Sequence, residues 1–75
     1  MQVLLFASLA EVVGSRALEV EAPATVGDLV TLLNIGWPVL AAQPYRVAVD
    51  QRYAAAEQIL SGTEEVALIP PVSGG

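Results

Sequence analysis

The chain has 75 residues, 55% of them hydrophobic, with eight acidic side chains against three basic ones and a formal net charge of -5. That length suits one small domain near the lower limit of a self-sufficient core, and the acidic balance opposes nucleic-acid phosphates while favouring a basic partner surface. Cysteine and histidine are absent, which excludes disulfides, thiolate or imidazole metal sites and thiol or imidazole catalysis, and the only cationic side chains are Arg16, Arg46 and Arg52, so no lysine amine is present to accept an isopeptide bond.

Residues 2 to 7, Gln-Val-Leu-Leu-Phe-Ala, form an apolar run that fits a central strand covered on both faces. Leu9, Val12 and Val13 then fall at helical spacing, and Gly14 stands where a left-handed residue ends a short helix. From Ala17 to Ala22 the pattern alternates, with Leu18, Val20 and Ala22 on one face and Glu19 and Glu21 on the other, until Pro23 stops it. Thr25 reads as the N-cap of the main helix, with Asp28 three residues on in an imperfect capping box. Val26, Leu29, Val30 and Leu33 mark the buried face of that helix, and Gly36 closes it. Trp37-Pro38 opens an irregular or briefly helical stretch to Ala42; Trp37 reads as a local core plug and not as a ligand platform. Tyr45 to Val49, the Asp50-Gln51 turn and Arg52 to Ala54 make a hairpin. Ser61-Gly62-Thr63-Glu64 is a last turn before the Val66 to Ile69 strand.

The order is strand, short helix, strand, main helix, strand, strand, strand. In one small α+β domain this predicts a mixed sheet wrapped across a single main helix, the ubiquitin-like β-grasp arrangement, with the first and last strands side by side at the sheet centre. Residues 1–71 form that domain, and 72–75 a flexible C-terminal tail. No apolar run approaches the roughly 20 residues of a membrane span, and no basic segment leads into a long apolar one at the start, so the expectation is a cytoplasmic protein without membrane contact. Mean hydropathy is nevertheless +0.61. Either an apolar face meets a partner, or the chain has an aliphatic-rich core with scattered exposed alanines.

The last two residues, Gly74 and Gly75, stand behind a stiff Pro70-Pro71 pair. Proline fixes φ and removes a donor, so the tail leaves the body extended. Without Cβ atoms, Gly74 can thread a channel too narrow for a side chain, and the Gly75 carboxylate can reach chemistry performed by another protein. The same pair of glycines is also what a frayed chain end looks like.

The run from Glu65 through Pro70-Pro71-Val72-Ser73-Gly74-Gly75 closely resembles the C-terminus of the small, sulfur-carrying subunit of molybdopterin synthase, within the ubiquitin-like β-grasp sulfur carriers. Val3-Leu4-Leu5-Phe6-Ala7, Glu11-Val12-Val13-Gly14 and Thr25-Val26-Gly27-Asp28-Leu29 are similar to the same family, so the resemblance spans the chain. It implies that Gly75 is adenylated by a separate ATP-using enzyme and then converted to a thiocarboxylate. That group would donate sulfur to a pterin precursor in molybdenum cofactor synthesis. The implied partners are this adenylating and sulfurating enzyme and the large catalytic subunit, in a heterotetramer of two small and two large subunits. The chain would be a sulfur-donating subunit with no cofactor and no metal of its own. Related carriers serve thiamine synthesis or tRNA thiolation, and others modify proteins; these are the alternative.

Strand parity places Val3 and Leu5 on one side of the first strand and Leu4 and Phe6 on the other; in the last strand Val66 and Leu68 share a face, opposite Ala67 and Ile69. With Tyr53 on the hairpin, Phe6 and Ile69 are the candidate apolar docking patch, continued along the tail by Pro71 and Val72. The other reading of the same residues is core.

Overall fold

A computed structural model describes residues 1–71. Its elements are β1 (Gln2–Leu5), α1 (Ser8–Val13), β2 (Ala17–Glu19), α2 (Val26–Gly36), α3 (Pro38–Ala41), β3 (Arg46–Val49), β4 (Arg52–Tyr53) and β5 (Val66–Ile69). The five strands form one mixed sheet in the order β2-β1-β5-β3-β4. β1 and β5 are parallel at its centre and every other pairing is antiparallel. This is the β-grasp arrangement that the order of elements predicts, with the last strand held on both sides.

One face of the sheet makes the core. Val3, Leu5, Leu18, Val47, Val49, Val66 and Leu68 point into it and are met by Leu9 from α1, Val26, Leu29 and Leu33 from α2, Leu40 from α3 and the loop residue Leu60. Val3, Val66, Leu68, Leu29, Leu33 and Leu40 are wholly excluded from solvent. Removing apolar surface from water is the main driving term, and the alternation of β1 and β5 contributes Val3, Leu5, Val66 and Leu68 to it.

The caps and turns explain where elements stop. The Thr25 hydroxyl accepts a hydrogen bond from the Asp28 N–H at 3.1 Å, the N-cap bond that the Thr-x-x-Asp spacing predicts. The next orphan N–H groups of α2 are met by the 54–60 loop: Val26 N–H donates to the Gln58 carbonyl and Gly27 N–H to the Ala56 carbonyl, each at 2.9 Å. At Gly27 an added Cβ would stand 3.3 Å from the Ala56 oxygen, so the absence of a side chain permits this approach. Asp50 and Gln51 both take positive φ, 50° and 69°, giving the two-residue turn whose twist matches a hairpin.

Several details differ from the sequence expectation. β1 ends at Leu5 and not at Ala7, because Ala7 turns to φ 51 and ψ -127 and its carbonyl accepts the N–H of Ala10 to begin α1. The face of β1 bearing Leu4 and Phe6 is not covered, so the strand is central but one-sided; Leu4 is half-buried and Phe6 exposed. β2 stops at Glu19, although Met1 and Val20 still exchange two backbone hydrogen bonds. Ala22 lies past the last paired residue of this edge and is exposed instead of sharing the buried face. In α1 only Leu9 is fully buried, while Val12 is exposed. Trp37 packs partly against the core, and its N–H caps α2 through the Leu33 carbonyl at 2.8 Å.

Candidate functional site

The uncovered face of the sheet carries the candidate site. Cross-strand register aligns Ala17, Leu4, Ala67, Ala48 and Tyr53 in one row across all five strands. Residues directly opposite in adjacent strands share a face. Ala67 and Ala48, at the middle of the row, are too small to stand above the backbone, so larger neighbours flank a trough. The result is a concavity of about 520 Å³ with Ala48 and Ala67 as floor, Phe6, Tyr53 and Ile69 as walls, and Gln51 and Glu65 at one end.

Each wall is held by its own element. Phe6 lies past the end of β1, yet its N–H still donates to the Leu68 carbonyl at 3.3 Å, which keeps the ring beside β5. Tyr53 stands on the edge strand β4 opposite Ala48, 54% exposed. Its ring is overlaid by the Arg46 guanidinium, 4.1 Å from the centroid, a cation–π contact that also restrains the arginine. Ile69 ends β5 opposite Arg46, so one wall of the groove is the residue immediately before Pro70-Pro71. The floor end is fixed by a reciprocal pair: Asp50 N–H donates to the Glu65 carbonyl at 2.8 Å, and Glu65 N–H donates to the Asp50 carboxylate at 2.9 Å.

Phe6, Tyr53 and Ile69, the three apolar residues expected to form one patch, thus meet at one groove. Pro71 is exposed and lies two residues beyond it. Val72, Gly74 and Gly75 lie outside the described residues. Sequence reasoning missed the alanine floor, the Gln51 and Glu65 end and the stacking of Arg46. The signal was present in parity, since Ala48 shares a face with Arg46, and Ala67 with Glu65 and Ile69.

The side chains lining the groove are mainly apolar, with Gln51, Tyr53 and Glu65 as its polar members; among the described residues neither Tyr53 nor Glu65 has a side-chain hydrogen bond. Among the described residues, no group of three or more acidic, histidine or cysteine side chains is placed to hold a metal ion. The most perturbed group is elsewhere: the Glu64 carboxylate accepts N–H bonds from Ser61 at 2.8 Å and Gly62 at 3.0 Å and the Ser61 hydroxyl at 3.1 Å. These bonds, the Ser61 N–H first, lower its pKa to about 2. Its role is to close the turn entering β5. Burial raises the Tyr45 phenol above its ordinary value, and that hydroxyl donates to Asn34 at 2.9 Å between α2 and the sheet.

The pattern of the ThiS family matches residues 3–75. Small archaeal modifier protein 1 of Haloferax volcanii is 37% identical over an alignment of 87 residues covering all of both chains. The molybdopterin synthase sulfur carrier subunit of Dictyostelium discoideum is 32% identical, covering 99% of this chain and 94% of that one. The crystal structure of SAMP1 from Haloferax volcanii superposes with a TM-score of 0.77 at 36% identity, over 99% of this chain and 97% of the other.

Proposed function

The chain belongs to the ThiS family, and from that premise we propose that it is a sulfur carrier for molybdopterin synthase, with the Gly75 carboxylate as the reactive group. The observation that carries this reading is the family match running to Gly75, joined to the placement of Ile69 and Pro70 at the end of the central strand β5. A carboxylate is a poor electrophile. A separate enzyme would use ATP to make the glycyl adenylate, releasing pyrophosphate; sulfur at the sulfide level then displaces AMP and leaves a thiocarboxylate. The large synthase subunit would direct that sulfur onto the pterin precursor and supply the cationic groups that bind it. ATP belongs to the activating enzyme, and the carrier itself holds no cofactor.

In this reading the groove of Phe6, Tyr53 and Ile69 is the docking face for both the activating enzyme and the large subunit. The two partners therefore compete, and the carrier must leave one to reach the other. Gly74 serves threading, and Pro71 and Val72 lie along the entry of the tail.

The test is intact-mass and fragment analysis of the protein from its native host. Replacement of one terminal oxygen by sulfur, localised to Gly75 to separate it from oxidation elsewhere, is the expected result. A second reading, protein modification, is favoured by the 37% identity to the small archaeal modifier protein. It predicts Gly75 in amide linkage to lysines of other proteins. A free carboxylate under all growth conditions, with no conjugates, would sink both.

A further inference from the structure

We infer that the groove is read by charge as well as by shape, and that its occupant is a partner segment carrying an acidic residue at the tail end and a basic residue at the hairpin end. This rests on the carrier reading above and names the chemistry of the surface that docks there. Three observations support it.

The first is Arg46. It stands opposite Ile69, at the root of the tail, on the same face as Ala48. Its guanidinium is laid over the Tyr53 ring at 4.1 Å, which limits its freedom and holds it against one wall of the groove. The only ion pair among the described residues joins the Met1 ammonium to Glu19 at 2.9 Å. Among the described residues, which include all eight acidic side chains, no acid lies within 4.0 Å of Arg46.

The second is Glu65, at the other end. Its backbone is locked to Asp50 in both directions, its side chain lines the groove, and no cation reaches it among the described residues. Glu19, also on the uncovered face by register with Gln2, is already engaged by Met1. From Arg46 to Asp50, the residue locked to Glu65, the backbone runs four residues, a span of about 13 Å at strand rise. The groove is thus positive at one end, negative at the other and apolar between.

The third is the floor. Ala48 and Ala67 leave room for an inserted apolar side chain, the usual centre of an interface, while rim charges set register and discourage the reverse orientation. A partner docked the right way round has its apolar anchor over the alanines and its acid against Arg46. Docked backwards, it sets like charges together at both ends.

The experiment uses the full chain and, as probe, the recombinant large subunit of molybdopterin synthase from the same genome, with affinity measured per folded molecule at low and high salt. Arg46→Glu takes the net charge from -5 to -7, Glu65→Arg takes it to -3, and the double variant restores -5 with the groove reversed. Arg52→Glu also gives -7, but Arg52 pairs with Val49 and so shares the face of a core-directed residue, not that of the groove. Each groove reversal is expected to weaken binding roughly tenfold, and the double variant more than either, with the differences shrinking at high salt. Arg52→Glu should bind close to the parent. If the double variant recovers parental affinity, or if Arg46→Glu and Arg52→Glu behave alike, net charge alone governs docking and the inference is overturned while the carrier reading stands. If the parent chain does not bind this subunit at all, the inference falls with it; the mass of Gly75 then decides separately whether the chain carries sulfur.

Discussion

Phe6→Ala separates a docking residue from a core residue. Phe6 is 49% exposed, so about half of its ring is already in water in the folded chain. Truncating a fully buried phenylalanine costs about 3 to 5 kcal/mol of stability; scaled by that exposure, Phe6→Ala should cost about 1.5 to 2.5 kcal/mol. Leu68→Ala, at 0% exposure on the opposite face, should cost about 2 to 5 kcal/mol, enough to unfold much of so small a domain. Binding should invert the order. A wall residue at the centre of an interface loses about 1 to 4 kcal/mol of affinity on truncation, whereas Leu68 touches no partner and should bind normally per folded molecule. Urea midpoints and calorimetric affinities, measured on the same preparations with Ile69→Asp as a third variant, give both quantities. A fall in the Phe6→Ala midpoint as large as that of Leu68→Ala, with affinity per folded molecule unchanged, refutes the assignment of faces.

Deleting Gly75 should abolish sulfur transfer in a reconstituted assay while leaving the urea midpoint unchanged, since a chain end contributes little to stability; Gly74→Val should slow adenylation or transfer at equal folded fraction, because a β-branched side chain then stands where the channel closes. Thr25→Ala removes the hydroxyl that caps α2 and should lower stability by about 1 kcal/mol, seen as a lower midpoint with unaltered partner affinity. Glu64 has a folded pKa of about 2, below its ordinary 4.5, so its charged form favours the folded state. The stability advantage of the parent over Glu64→Gln should be complete above the ordinary value and fade as pH falls from there to about 2; an advantage independent of pH across that window would show that the turn does not depend on the charge.

The elements with a strong period were legible in the sequence. Alternation in β1 and β5, the Leu29 and Leu33 spacing and the Thr25 cap gave the fold and the face that Phe6 and Ile69 share. Residues 55 to 60 gave no period, because their work is done by backbone: the carbonyls of Ala56 and Gln58 receive the N–H groups of α2, while Leu60 drops into the core. The alanine floor was hidden for another reason. Alanine is neutral in an alternation pattern, so Ala48 and Ala67 look like filler until register sets them side by side. Arg46 over Tyr53 is likewise a contact between neighbouring strands, visible only once the hairpin is closed.

The position of the groove constrains what it can serve. Ile69 is both its wall and the last residue of β5, so whatever fills the groove also fixes where the tail begins. The six residues from Pro70 to Gly75 reach at most about 20 Å when fully extended, and two consecutive prolines remove the sharpest ways of turning back. An enzyme that docks here must therefore present its reacting centre within that radius of Ile69. In the proposed function two enzymes act on the same Gly75; both would have to solve the same geometry, and the simplest solution is to bind the same groove in turn. Because β5 is hydrogen-bonded on both sides, to β1 and β3, the root does not yield as the tail is drawn in. If the groove is the docking face proposed above, docking fixes the start of the chain that delivers Gly75, and a loss of wall contact at Phe6 or Ile69 should appear as lost transfer even where the diglycine itself is intact.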